Sequence, residues 1–243
     1  DLKLSPHTPT DAEVEAIDVV DISPGILEMS AIVHPDPRED PLRDPRVRVH
    51  VEDGRAFLGV TENRYDLITS EPPPPRNAGV VNLYSREYFA LIRSRLREGG
   101  MVSYWLPVHD LALREAQAIV AAFCGVFPDC SLWSGSDLDW MLLGTRDAEG
   151  AKDEQRLRRQ WDDPVVGADL RAAGLESPEQ LGALFLMDHR GLADFAKGIL
   201  PLTDNWPGRI GLTAGLIDVA PYLDILDASK ARTVFETSPL IER

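Results

Sequence analysis

The chain has 243 residues, 44% of them apolar and 27% charged, with a formal net charge of −15. That suits a globular α/β domain with an appendage, or two small domains. Nucleic acid is disfavoured as a main partner, because phosphates need positive surface; a negative field attracts cations such as polyamines or simply aids solubility.

From Ala16 to Arg146, short β-branched runs alternate with helical patterns, which predicts a parallel sheet with crossover helices. Ala16–Ile22 reads as a buried strand. Ser23-Pro24 then opens a helix to about Val33, with a cap residue followed by proline at the first helical position. His34–Pro45 is a Pro/Asp-rich loop. Val47–Val51 is a strand, and Asp53-Gly54 turns it into a helix over Arg55–Val60. Tyr65–Ser70 is the next strand; it stops at Glu71 and Pro72–Pro75, because proline cannot continue a ladder. Ser85–Arg97 is helical, with Tyr88, Ile92 and Leu96 on one stripe, and Gly99-Gly100 is its stop signal. Met101–Leu106 is a strand and Leu111–Phe123 an amphipathic helix. Val126–Trp133 and Asp139–Gly144 form a closing strand pair. Beyond Thr145 the chain is highly charged, then carries short helical patterns to Phe195 and a loop at Leu200–Pro207. The expected division is a sheet domain over 1–147 and a mainly helical extension over 148–243.

No apolar run of about 18 residues encodes a membrane span, and the opening residues lack the basic and apolar regions of a signal peptide. Cys124 and Cys130 form no CxxC pair, and the five histidines are scattered. A reduced, cytoplasmic setting and no metal are therefore expected.

Ligands of open α/β sheets lie beyond the carboxyl ends of the strands. Asp21 ends the first strand, where an acid accepts hydrogen bonds from ribose hydroxyls or, equally, partners the helix that follows. Asp18 points to the opposite face. Asp53-Gly54 suits an exocyclic purine amine approached closely by glycine, or an ordinary helix cap. Glu71, fixed by the prolines, can take a proton from an amine nucleophile in a partly dry cleft, or be satisfied by loop amides. Tyr84 lines an acceptor pocket or packs in the core; Ser85 caps the next helix. The three acids are expected to face one crevice.

In combination, the segments VVDISPGILEMSA (19–31), DPRVRVHVEDGRAFL (44–58), YDLITSEPPPPRNAGVVNLYSREYF (65–89) and LREGGMVSYWLPVH (96–109) resemble the core of the spermidine/spermine synthase family, most closely the bacterial branch fused to transporter-like segments. LTDNWP (202–207) is similar to a C-terminal motif of that branch. The resemblance implies a Rossmann-like, S-adenosylmethionine-dependent methyltransferase-type α/β fold. It implies transfer of an aminopropyl group from decarboxylated S-adenosylmethionine to a small-molecule amine acceptor, in polyamine biosynthesis, by a dimeric enzyme. Asp21 with Ile22 matches the ribose-binding segment, Asp53-Gly54 the adenine-contacting pair, and Glu71 the catalytic aspartate; Glu71 is expected to bind the cofactor as well, and Tyr84 is counted with Glu71 among the catalytic candidates. The sequence departs from the family in three ways. No glycine occurs between Asp1 and Pro24, where the glycine-rich turn belongs, so a central strand is expected to be missing and a sheet edge exposed. Glu71 replaces aspartate. Pro74 stands where a second acid grips the polyamine. Weak or no activity is therefore expected. The alternatives are a methyltransferase using S-adenosylmethionine, and a non-catalytic fragment or interaction module.

Overall fold

The computed structural model describes residues 14–75, 79–136, 138–147, 154–206 and 217–238. The upstream stretch 1–13, Pro207 of the LTDNWP motif and part of the charged segment after Asp147 lie outside these. In chain order the elements are β1 (Ile17–Asp21), α1 (Pro24–Val33), β2 (Val47–Val51), α2 (Gly54–Val60), β3 (Tyr65–Ser70), α3 (Arg86–Arg95), β4 (Leu96–Pro107), α4 (Leu113–Cys124), β5 (Ser131–Ser134) and β6 (Asp139–Thr145). There follow α5 (Glu154–Asp162), α6 (Val166–Ala172), α7 (Pro178–Gly182), β7 (Phe185–Met187), α8 (His189–Phe195), α9 (Ala220–Ile225) and α10 (Ala228–Thr237). The chain forms two units, one of Asp1–Thr61 with Asp153–Gln180, the other of Glu62–Lys152 with Leu181–Arg243.

In the first unit β1 and β2 pair in parallel from Ile17↔Val47 to Asp21↔Val51, so both strands leave the sheet at the same end. Deeper in the ladder, Asp18 meets His50 at 2.9 Å. Phe57 of α2 stacks against the His50 ring, 4.6 Å between centroids, and is buried with Leu58. Pro24 sits in the first turn of α1 as expected. Yet α1 has no buried residue, and its Ile26, Met29, Ile32 and Val33 are exposed.

The second unit is a sheet in the order β3-β4-β6-β5-β7. β3 and β4 are parallel, whereas β6 runs against both β4 and β5, and β7 against β5. Hence β3, β4 and β5 share one direction, with β6 inserted backwards between two of them. The core beneath it is aromatic: Phe89 packs edge-on to Tyr104 at 5.0 Å and to Phe123 at 5.1 Å. Such edge-to-face pairs add to the area that they bury. Among the described residues β1 pairs only with β2 and β3 only with β4.

Three local expectations are corrected. The third helix ends at Arg95, because Leu96 is drawn into the ladder opposite Tyr65; its N–H caps the helix on Ile92 and Arg93 carbonyls. The two glycines therefore serve the strand. Gly99 has φ +74°, and a Cβ on Gly100 would lie 2.9 Å from the carbonyl oxygens of Arg97 and Tyr65. The expected strand Val126–Trp133 shrinks to Ser131–Ser134, since Val126 and Phe127 turn back onto the Phe123 carbonyl. That turn brings together Cys124 and Cys130, which form a disulfide with Cα atoms 5.4 Å apart, where free thiols were expected. The short β7 was not foreseen.

Candidate active site

Asp21 and Asp53 lie at the exit of the parallel pair in the first unit. The two exits are stitched together by Glu52 N–H donating to the Asp21 carbonyl at 3.0 Å. Each carboxylate also performs its local structural task. Asp21 Oδ1 accepts from the Ser23 N–H at 2.7 Å, turning the chain into α1. Asp53 Oδ1 accepts from the Ala56 N–H at 2.7 Å and caps α2. The cap reading and the ligand reading are compatible, because the described contacts of both carboxylates run through Oδ1 and leave Oδ2 uncommitted. A carboxylate with one oxygen fixed by backbone is held in a single orientation, which lowers the entropy lost when a ligand hydroxyl or amine docks on the other. Ile22, beside Asp21, is 71% exposed and offers an apolar surface. Gly54 has open space within 4 Å of where a Cβ would stand, so a flat ring can approach the backbone there.

Glu71 and Tyr84 belong to the second unit. Glu71 follows β3 directly and is exposed. Among the described residues it has no hydrogen bond or ion pair. The loop behind it is anchored, since Pro72 and Pro75 are buried. Tyr84 is fully buried. Its hydroxyl donates to the carbonyls of Pro72 and Pro73, both at 3.2 Å, and its ring meets Tyr104 edge-on at 5.6 Å. Tyr84 therefore fastens the proline loop instead of lining a pocket. Burial pushes its phenol well above the usual range, so it stays protonated and donates at any working pH. Tyr104 extends the ladder of contacts: its hydroxyl donates to the Leu83 carbonyl.

Two features at this end of the sheet escaped the sequence reading. At the exit of β4, Asp139 accepts from the Trp105 indole at 3.1 Å and faces His109 Nδ1 at 3.4 Å, while His109 Nε2 lies 3.7 Å from Asp110. The signal was available, because Val108-His109-Asp110 directly follows a strand. The second feature is Ser85, whose hydroxyl donates to Asp204 at 2.6 Å across 119 residues of chain. Among the described residues no group of three or more His, Cys, Asp or Glu side chains is placed to hold a metal ion. Among the described residues no helix is long and apolar enough to cross a membrane.

Comparison with known proteins places these residues in context. Residues 10–133 match the family model described as the spermine/spermidine synthase domain. The chain is 30% identical over 116 residues to polyamine aminopropyltransferase 1 of Pseudomonas aeruginosa, covering 48% of this chain and 40% of that protein. It is 30% identical over 193 residues to the polyamine aminopropyltransferase of Corynebacterium efficiens, covering 74% of this chain and 36% of that protein. Thus the chain spans well under half the length of these two relatives. The crystal structure of spermidine synthase from Thermotoga maritima superposes with a TM-score of 0.53 at 15% identity, over 75% of this chain and 60% of that one. The α/β fold is therefore of the methyltransferase-like type found in that enzyme.

Proposed function

Because the chain belongs to the spermine/spermidine synthase domain family, we propose that it serves aminopropyl transfer from decarboxylated S-adenosylmethionine to a small amine. One observation carries this reading. Two carboxylates at adjoining strand exits, Asp21 and Asp53, are each held by one backbone N–H with the second oxygen open. That pattern suits ribose hydroxyls at Asp21 and an exocyclic purine amine at Asp53, with Ile22 and Gly54 receiving the flat ring. Glu71 is assigned to the amine. The amine nitrogen attacks the aminopropyl carbon bonded to the sulfonium; the carbon–sulfur bond breaks and its electrons return to sulfur, leaving a neutral thioether nucleoside. The proton lost by the new secondary amine passes to the Glu71 carboxylate. The sulfonium carbon is already electrophilic, so positioning and proton removal are the work that remains for the protein. Tyr84 contributes by holding the loop that carries Glu71.

We assign this chemistry to residues 1–147, with 148–243 as a mainly helical extension, and to the cytoplasm. A homodimer is the expected assembly. The test is incubation with decarboxylated S-adenosylmethionine and 1,4-diaminobutane, with mass-spectrometric detection of the aminopropylated amine and the thioether nucleoside. Glu71→Gln is expected to lower turnover by about 100-fold, within the range for a proton-transfer group. Methyl transfer from S-adenosylmethionine, without any aminopropyl product, would replace this reading by a methyltransferase.

A further inference from the structure

The segment Leu202–Trp206 lies far from Glu71 in sequence but is tied to its loop by a short chain of contacts. Leu202 is buried, 5% exposed, and is held by the Arg86 N–H donating to its carbonyl at 2.9 Å and by its own N–H to the Ala118 carbonyl at 3.3 Å. Next, Asp204 accepts from the Ser85 hydroxyl at 2.6 Å and donates its N–H to Glu87 at 3.0 Å. The turn closes through the Trp206 N–H, which donates to the Thr203 carbonyl at 3.0 Å and hydroxyl at 3.1 Å. Ser85 is the neighbour of Tyr84, whose hydroxyl grips the two carbonyls immediately after Glu71. The turn and the Glu71 loop thus share one rigid support, Tyr84-Ser85.

At the closing end of this turn, the side chain of Trp206 is left in solvent, 76% exposed. A single exposed apolar residue is ordinary. An indole whose backbone N–H is held by the Thr203 carbonyl and hydroxyl, however, starts from a fixed backbone position, and its face is the best aromatic partner for an ammonium group. We propose that Trp206 is the recognition residue for the amine acceptor, receiving an alkylammonium on its indole face, and that Asp204 is its positioning residue through Ser85. This rests on the reading above only in that the acceptor is a small amine.

The experiment measures 1,4-diaminobutane affinity by calorimetry on the full chain and on Trp206→Ala, Trp206→Phe, Asp204→Ala and Asp204→Asn. Thermal midpoint and donor affinity are followed in parallel. Trp206→Ala and Asp204→Ala are expected to weaken diamine binding by about fivefold or more, at unchanged donor affinity. Trp206→Phe keeps an aromatic face and Asp204→Asn keeps an acceptor for Ser85, so both stay within about twofold of the parent. Parent-like affinity in Trp206→Ala overturns the proposal, as does a parent chain that binds no diamine. Transfer activity is scored separately. An active parent whose diamine KM is untouched by Trp206→Ala sinks this inference alone. A parent that binds diamine through Trp206 but transfers nothing sinks the catalytic reading alone.

Discussion

At the scale of single residues, Asp53 holds two jobs that substitution can separate. Serine still caps α2 but has no carboxylate, so Asp53→Ser is expected to stay within about 0.5 kcal/mol of the parent in stability, while nucleoside affinity falls roughly tenfold on loss of a charged acceptor. Asp53→Ala removes both functions and costs about 1 kcal/mol in addition; urea unfolding and calorimetry distinguish the two variants. Asp188 supplies a prediction in pH. It is buried, and burial alone would raise its carboxyl. The N–H groups of Gly191 and Arg190, the Ser238 hydroxyl and nearby His189 outweigh that and hold it below the ordinary 3.8. A depressed folded-state value means that its stabilisation is complete above the unfolded value and is lost as pH falls through the folded one. Parent and Asp188→Asn are therefore expected to differ most in stability near neutrality and to converge below about pH 4, the ordinary carboxyl range, as followed by unfolding curves from pH 7 to pH 3. The acids at the strand ends were legible as residues because an exit followed by Asp or Glu is a local pattern. For Tyr84 the sequence left pocket and core equally open, since its packing depends on Tyr104 and on proline carbonyls that only the folded chain brings near.

Among elements, the stretch from α4 to β5 shows how a tertiary contact overrides a pattern. Apolar Val126 and Phe127 read as strand, yet they close a turn on Phe123, and the Cys124–Cys130 bond staples it. A cross-link closing so short a loop contributes about 2 kcal/mol by chain entropy. Cys124→Ser with Cys130→Ser is expected to lose that amount relative to the oxidised chain and to match the reduced one. Thiol titration of protein taken directly from cells reports which form exists there; a cytoplasmic site of action predicts two reactive thiols under denaturing conditions. The same competition explains Leu96. Its helical spacing from Tyr88 and Ile92 was real, but hydrogen bonding to β3 gained more than another half-turn of helix. Periodicity found the apolar face and could not see the neighbouring strand that would claim its last member.

For the molecule as a whole, net charge −15 should act on cations at a distance. Raising ionic strength from 0.01 M to 0.15 M shortens the screening length from about 30 Å to about 8 Å. Diamine association is therefore expected to weaken several-fold, with little change for an uncharged nucleoside, as calorimetry in the two salts would record. Alternating strands and helices made the parallel pairing of β1 with β2, and of β3 with β4, readable in advance. The order β4-β6-β5 was not readable, because it is fixed by which strand fills the remaining gap, not by any local preference. That backward insertion has its own consequence. β4 finishes where β6 begins, so Asp139 is delivered to the rim by a strand on its way in, and there it meets Trp105 and His109. An inventory of acids taken only from strand termini would assign it to the distant floor of the sheet, when it stands at the doorway.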